Sequence, residues 1–217
     1  MRLIKQSHKI INITPDPYTK IELAARTCYD SHDKITDTSA PKLIKSLLKM
    51  NHLTPFEFAD VHVVFITDRS TSHELVRHRI ASFQQSSQRY IKYNNNNLEF
   101  ILPPWLPESY LGEWTTIYPD MPEDNLTYLT SLKQSAVAYE TLLTQGWPPE
   151  RARKVLPNST ATTIHMKANF REWMHILNLR FHGQTGRPDP TMHTLMQPLH
   201  QELSTLYPEV FRNEEKQ

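Results

Sequence analysis

The sequence predicts an α+β fold: a central mixed or antiparallel sheet flanked by helices, with the long helices in the C-terminal half. Two observations predict it. Helical and strand periodicities follow one another in mixed order rather than in regular alternation. The glycines number four, at Gly112, Gly146, Gly183 and Gly186. Neither a Rossmann G-x-G-x-x-G nor a P-loop can be written with them, so the reading is α+β, or α/β without a doubly wound sheet. At 217 residues, a single domain over 1–217 is expected.

The elements follow from local patterns. Residues 2–13 are rich in β-branched side chains and read as a strand. Residues 21–29 read as a helix, and 40–50 as a second with Pro41 near its start. His52 to Phe58 is a turn leading into an alternating strand over 60–67. A helix over 70–79 is expected, capped by Ser70 or Thr71, and an extended segment over 87–93. Five prolines make 94–122 a long irregular stretch. Leu126, Leu129, Leu132, Ala136, Tyr139 and Leu143 set a helix over 124–145 that ends at Gly146 and Pro148. A short helix over 149–155 stops at Pro157, and longer ones cover 169–181 and 191–206, the last containing Pro198.

Composition narrows the function. Twenty-four basic against 23 acidic side chains, a net charge of +1, argue against a general polyanion binder such as a nucleic-acid module. The single cysteine, Cys28, excludes an intrachain disulfide and a cysteine zinc site, and fits a reducing compartment. Its surroundings predict a buried packing residue rather than a nucleophile. No apolar run approaches the ~20 residues of a membrane span, and the N-terminal stretch does not read as a signal peptide. No metal site is expected, because His73-Glu74-x-x-x-His78 is one residue longer than H-E-x-x-H. On a helix that turns its second histidine by about 100°.

Without a glycine loop, phosphate binding falls to side chains. The densest polar stretch is Arg77-His78-Arg79-Ile80-Ala81-Ser82-Phe83-Gln84-Gln85-Ser86-Ser87-Gln88-Arg89-Tyr90. Arginine forks bind phosphate bidentately, and serine hydroxyls add neutral donors. If residues 85–90 are extended, Gln85, Ser87 and Arg89 share one face. Ile80, Phe83 and Tyr90 are expected to anchor the stretch to a core. Glu74 lies one helical turn before Arg77 and His78, placed to orient either. Charge clusters are more often solvated surface, but this one has no interleaved acids. A second basic cluster, Arg151 to Lys154, is equally consistent with a favourable helix C-terminus. On the 169–181 helix, Phe170, Trp173, Met174 and Leu177 form a core stripe, with Arg171 and His175 on one flank and Asn169 and Arg180 on another.

Together these clusters resemble the flavin-dependent thymidylate synthases. The resemblance rests on Arg77-His78-Arg79, seven residues, then Ser87-Gln88-Arg89-Tyr90. It extends to Ala24-Ala25-Arg26, His52-x-Thr54-Pro55-Phe56-Glu57, Arg153-x-Val155-Leu156-Pro157, Asn169-x-Arg171 and Leu179-Arg180. The order matches over roughly residues 20–185. The chain departs from the family pattern at Gln85, where glutamate is common, and at His73-Glu74, where Arg-Gln is common. Cys28 stands where serine is common. His182-Gly183-Gln184-Thr185-Gly186-Arg187-Pro188 replaces the usual segment after the last arginine.

The resemblance implies reductive methylation of dUMP to dTMP, with methylenetetrahydrofolate as carbon donor, NADPH as reductant and FAD as hydride carrier. It implies no cysteine nucleophile, and a cytoplasmic homotetramer with active sites between subunits (in host cytoplasm if the source is viral). It places Thr54, Arg77, His78, Arg79, Gln85, Asn169, Arg171 and His175 at FAD. It places Glu74, Arg77, Gln85, Ser87, Gln88, Arg89, Arg153 and Arg180 at dUMP, with Arg180 as the catalytic group against the uracil. The alternative readings are a flavoprotein acting on another pyrimidine nucleotide, and a nucleic-acid-binding module that uses Arg77, Arg79 and Arg89 on phosphates, against which the near-zero net charge argues.

Overall fold

The computed structural model describes residues 1–94, 97–114 and 121–212. Parts of the irregular 94–122 stretch, at 95–96 and 115–120, lie outside them. The architecture is α+β, with two sheets and flanking helices.

The expected first strand is two: β1 (Arg2–Ile4) and β2 (Ser7–Ile13). Helix α1 (Pro17–Thr27) begins earlier than its apolar pattern, because Pro17 is preorganised for the first turn. Cys28 is therefore the residue that ends α1, and it is exposed. This corrects the expectation of a packing cysteine. Helix α2 (Ser39–Lys49) and a 3₁₀ turn at Thr54–Phe58 lead into β3 (Asp60–Asp68).

Helix α3 (Arg69–Leu75) is shorter than expected and is capped by Asp68, whose carboxylate accepts from Thr71 N–H at 2.7 Å. Thr71 is thus the residue capped, not the cap. Arg77 N–H closes onto the Glu74 carbonyl at 3.2 Å, tightening the exit so that Arg77 and His78 lie outside the helix. Strand β4 (Ala81–Gln85) follows. The extended segment expected after it is a turn, because the Ser87 carbonyl accepts from both Tyr90 N–H (3.1 Å) and Ile91 N–H (3.0 Å). The alternation that would align Gln85, Ser87 and Arg89 is therefore broken.

Short strands β5 (Glu99–Ile101) and β6 (Gly112–Glu113) precede α4 (Glu123–Thr144), α5 (Pro149–Ala152) and a 3₁₀ turn at Arg153–Val155. Strand β7 (Ala161–Asn169) has no counterpart among the expected elements. Helices α6 (Phe170–Arg180), α7 (Pro190–Leu206) and α8 (Pro208–Phe211) complete the described chain. Pro198 is accommodated inside α7. Among the described residues, no helix is long and apolar enough to cross a membrane.

One sheet has the order β5-β1-β6, with β1 parallel to β5 and antiparallel to β6. The other has the order β2-β3-β7-β4. The chain divides into two compact units. The first comprises 1–7, 65–77 and 84–164, with Leu3, Phe100, Leu129, Leu132 and Tyr139 in its core. The second comprises 8–64, 78–83 and 165–217, and buries Ile21, Ile44, Phe56, Trp173 and Leu199.

In the second unit α6 is fixed at its start. Phe170 N–H donates to the Ala59 carbonyl at 2.8 Å, and Trp173 Nε1 donates to the Val61 carbonyl at 3.1 Å. Asn169 caps the helix, its Oδ1 accepting from Glu172 N–H at 2.8 Å. The helix that carries Arg171, His175 and Arg180 is thereby held against the Thr54–Phe58 turn.

Candidate functional site

The second unit gathers three polar side chains around His78: Glu172, His175 and Arg180. The ring of His78 is 5% exposed and Glu172 is 7% exposed. Arg180 Nε donates to His78 Nε2 at 3.2 Å. His78 Nδ1 lies 3.3 Å from Glu172 Oε1, and the His175 ring meets the His78 ring edge-on at 5.9 Å. Burial, the Arg180 guanidinium and His175 push the His78 pKa down to about 4. The imidazole is neutral at neutral pH, so its contact with Glu172 is not an ion pair. Burial pushes the Glu172 carboxyl up, with His175 and Arg171 opposing.

The ligand atoms of His78, Glu172 and His175 lie within 4.8 Å of one another, close enough to suit a metal ion. Arg180 argues against that use. Its donor already occupies the Nε2 lone pair, and a second cation there would be repelled.

The buried neutral ring has a consequence for stability. An unfolded histidine titrates near 6.5, so between about pH 6.5 and 4 the unfolded chain binds the proton that folded His78 refuses. Stability is expected to fall with pH across that window, by about 3 kcal/mol at its lower end. Glu172 acts with the opposite sign, since its raised pKa lets the folded state take up a proton first, and it offsets part of the loss. The Tm of wild type and His78→Asn, measured from pH 7.5 to 4.5, checks this. The variant should show the flatter profile, and parallel profiles would contradict it.

The other side chains of the same unit are more open. Arg79 is exposed, and Thr54 is exposed at the start of its 3₁₀ turn. Arg171 Nη1 donates to Glu57 Oε1 at 2.6 Å, an ion pair in which both partners are about half exposed. Asn169 spends its oxygen on the cap and keeps its amide hydrogens for a further acceptor.

The first unit holds Glu74, Arg77, Gln85, Ser87, Gln88, Arg89 and Arg153. Gln85 is anchored by its amide nitrogen, which donates to Ser72 Oγ (2.8 Å) and Thr162 Oγ1 (3.1 Å). Its carbonyl oxygen remains as an acceptor. Ser86 Oγ shares Thr162 Oγ1 at 3.0 Å, and Arg69 Nη1 reaches the Ser86 carbonyl at 3.3 Å. Ser87 Oγ accepts from Arg89 N–H at 3.3 Å, and the Arg89 guanidinium lies 5.2 Å from the centre of the Tyr90 ring. Gln88 is buried, Arg153 is half-buried, and Arg77 is exposed. Ile80 and Tyr90, expected as core anchors, are 70% and 77% exposed. The polyhydroxyl network holds the stretch instead.

Sequence reasoning missed Glu172 and the supports Arg69, Ser72 and Thr162. A signal existed for Glu172: Asn169-x-x-Glu172 has the capping-box spacing. Of the supports, Thr162 lies on β7, for which no element was expected, and Arg69 and Ser72 lie on α3.

The family model described as thymidylate synthase complementing protein matches residues 9–209. The flavin-dependent thymidylate synthase of Geobacter sulfurreducens is 30% identical over 178 residues, covering 79% of this chain and 72% of that protein. The flavin-dependent thymidylate synthase of Mycobacterium avium is 32% identical over 167 residues, covering 74% and 66%. Among solved structures, the UMP/dUMP methylase PolB from Streptomyces cacaoi, bound with 5-Br dUMP, superposes with a TM-score of 0.79 at 22% identity. The superposition covers 97% of this chain and 95% of that one, which establishes the likeness of fold.

Proposed function

This chain belongs to the thymidylate synthase complementing protein family, the flavin-dependent thymidylate synthases, and from that premise we propose that it methylates dUMP reductively to dTMP. The overall balance is dUMP, methylenetetrahydrofolate, NADPH and a proton giving dTMP, tetrahydrofolate and NADP⁺. No covalent cysteine takes part. The chain acts in the cytoplasm as one functional domain over 1–217, in a homotetramer with active sites between subunits.

The observation that carries this reading is the Arg180 guanidinium, held through Nε by a buried neutral imidazole. A fixed guanidinium stabilises negative charge that develops on a pyrimidine carbonyl without reorganising during the reaction. A neutral partner leaves the arginine charge uncancelled on that side.

The donors present fit FAD in kind. Arg77, Arg79 and Arg171 offer exposed guanidinium groups suited to a diphosphate. Thr54, Gln85, Asn169 and His175 add hydroxyl, imidazole and amide groups, while His78, whose ring nitrogens face Arg180 and Glu172, would contribute there by packing and by fixing Arg180. Arg171 is held meanwhile by Glu57, which a phosphate would displace. When bound, FAD supplies the hydride chemistry, and the protein supplies binding, orientation and field.

For dUMP, Ser87, Arg89 and Arg153 suit the phosphate. The anchored Gln85 presents a carbonyl acceptor suited to the uracil N3–H, and Glu74, Arg77 and Gln88 complete the pocket. Arg89→Ala is expected to weaken dUMP binding about ten- to hundredfold, as for loss of one charge-assisted contact, and FAD binding much less. Isothermal titration with each ligand checks the order. The reverse order would mean that the two sets are exchanged.

Formation of dTMP from dUMP, with FAD, NADPH and methylenetetrahydrofolate supplied, tests the activity. No product would overturn it. A second reading, UMP as acceptor, draws on PolB, a UMP/dUMP methylase of the same fold. Running UMP in the same assay separates the two.

A further inference from the structure

We infer that Glu172 is a positioning residue: it holds His78 as the Nδ1–H tautomer, so that His78 Nε2 fixes the plane of the Arg180 guanidinium. The inference rests on the reading of Arg180 as the group against uracil.

The tautomer follows from the arginine. Arg180 Nε always carries its hydrogen, so a 3.2 Å contact makes His78 Nε2 the acceptor. With the ring neutral, its one proton must sit on Nδ1, the nitrogen that faces Glu172 Oε1 at 3.3 Å. The three groups thus form a directed chain in which carboxylate, imidazole N–H, imidazole lone pair and guanidinium N–H follow in order. A carboxylate on one ring nitrogen raises the basicity of the other, as it does for metal-bound histidine. The separation is long for a charge-assisted hydrogen bond, so the carboxylate acts chiefly by orienting and polarising the ring.

The placement of Glu172 supports a task beyond helix capping. It occupies the third position of α6, where a capping-box glutamate would turn back to the Asn169 backbone. The Asn169 half of that exchange is made, at 2.8 Å. The Glu172 carboxylate instead lies on His78, where it is buried. Burying a carboxylate is costly, and the nearby helix N-terminus offsets only part of that. A leucine here would pack at less cost, but would leave the His78 N–H without a partner and the ring free to rotate away from Arg180.

Glu172→Gln keeps an oxygen acceptor for Nδ1–H and loses only the charge. Glu172→Leu loses both. The expected result is a tenfold or greater fall in kcat for Glu172→Leu, with the KM for dUMP changed less than threefold. Glu172→Gln should stay within about threefold of wild type. The ¹⁵N shifts of His78 in the flavin-loaded protein give a readout independent of turnover: wild type should show a protonated Nδ1 and a bare Nε2, and Glu172→Leu a mixture. A protonated Nε2 in wild type, or wild-type kcat in Glu172→Leu, overturns the inference. If wild type makes no dTMP, the proposed activity fails, and the His78 shifts alone decide whether Glu172 sets the tautomer.

Discussion

Replacing Arg180 by alanine is expected to reduce dTMP formation by about two to three orders of magnitude while the purified protein keeps its flavin. The estimate is the loss seen when one preorganised charge-stabilising donor is removed from a site where negative charge develops. The structural cost should be small. Arg180 is the last residue of α6 and half-buried, so its removal forfeits roughly 0.3–1 kcal/mol of favourable interaction with the helix C-terminus, plus its bond to His78. Lysine restores the charge but not the planar fork that lies against His78, so Arg180→Lys should recover only a small part. Flavin absorbance after gel filtration, beside single-turnover dTMP formation, separates binding from chemistry. Near-normal turnover in Arg180→Ala would remove the assigned role.

The largest stability effect is expected at Trp173. Its side chain is fully buried, and its indole N–H donates to the Val61 carbonyl at 3.1 Å. Trp173→Ala should cost about 3–5 kcal/mol from the cavity, and about 1 kcal/mol more from the lost hydrogen bond. That is a large share of the ~5–15 kcal/mol that stabilises a typical domain. Trp173→Phe keeps most of the ring, so it should lose mainly the hydrogen bond. Because α6 carries Glu172, His175 and Arg180, folded fraction and activity should decline together in Trp173→Ala. Urea midpoints for the three proteins check this, and an unchanged midpoint in Trp173→Ala would show that the indole does not hold α6.

How far the sequence anticipates the molecule depends on what each element is made from. Helices α4 and α6 were legible because their apolar residues recur with a period close to 3.6. Strand β3 was legible because it is rich in β-branched and aromatic residues and its buried Val61, Val63 and Phe65 fall at every second position. Strand β7 alternates as well, burying Thr162, Ile164, Met166 and Ala168. Threonine and alanine do not announce burial, so the period was hidden. The turn after Ser87 was missed because neither glycine nor proline marks it; two backbone donors converging on one carbonyl make it. At the site, the resemblance picked out His78 and Arg180 one by one. Their contact across 102 positions belongs to the tertiary structure. Glu172 was missed because a glutamate early in a helix is ordinary until its neighbour is seen.

The most direct test of the central claim is a visible spectrum of the purified protein reduced anaerobically with NADPH, with and without dUMP. The account predicts a flavin band that NADPH bleaches, at a rate that changes when dUMP is added, because flavin and nucleotide share one redox site. A protein that shows no flavin band even after FAD is supplied would contradict it.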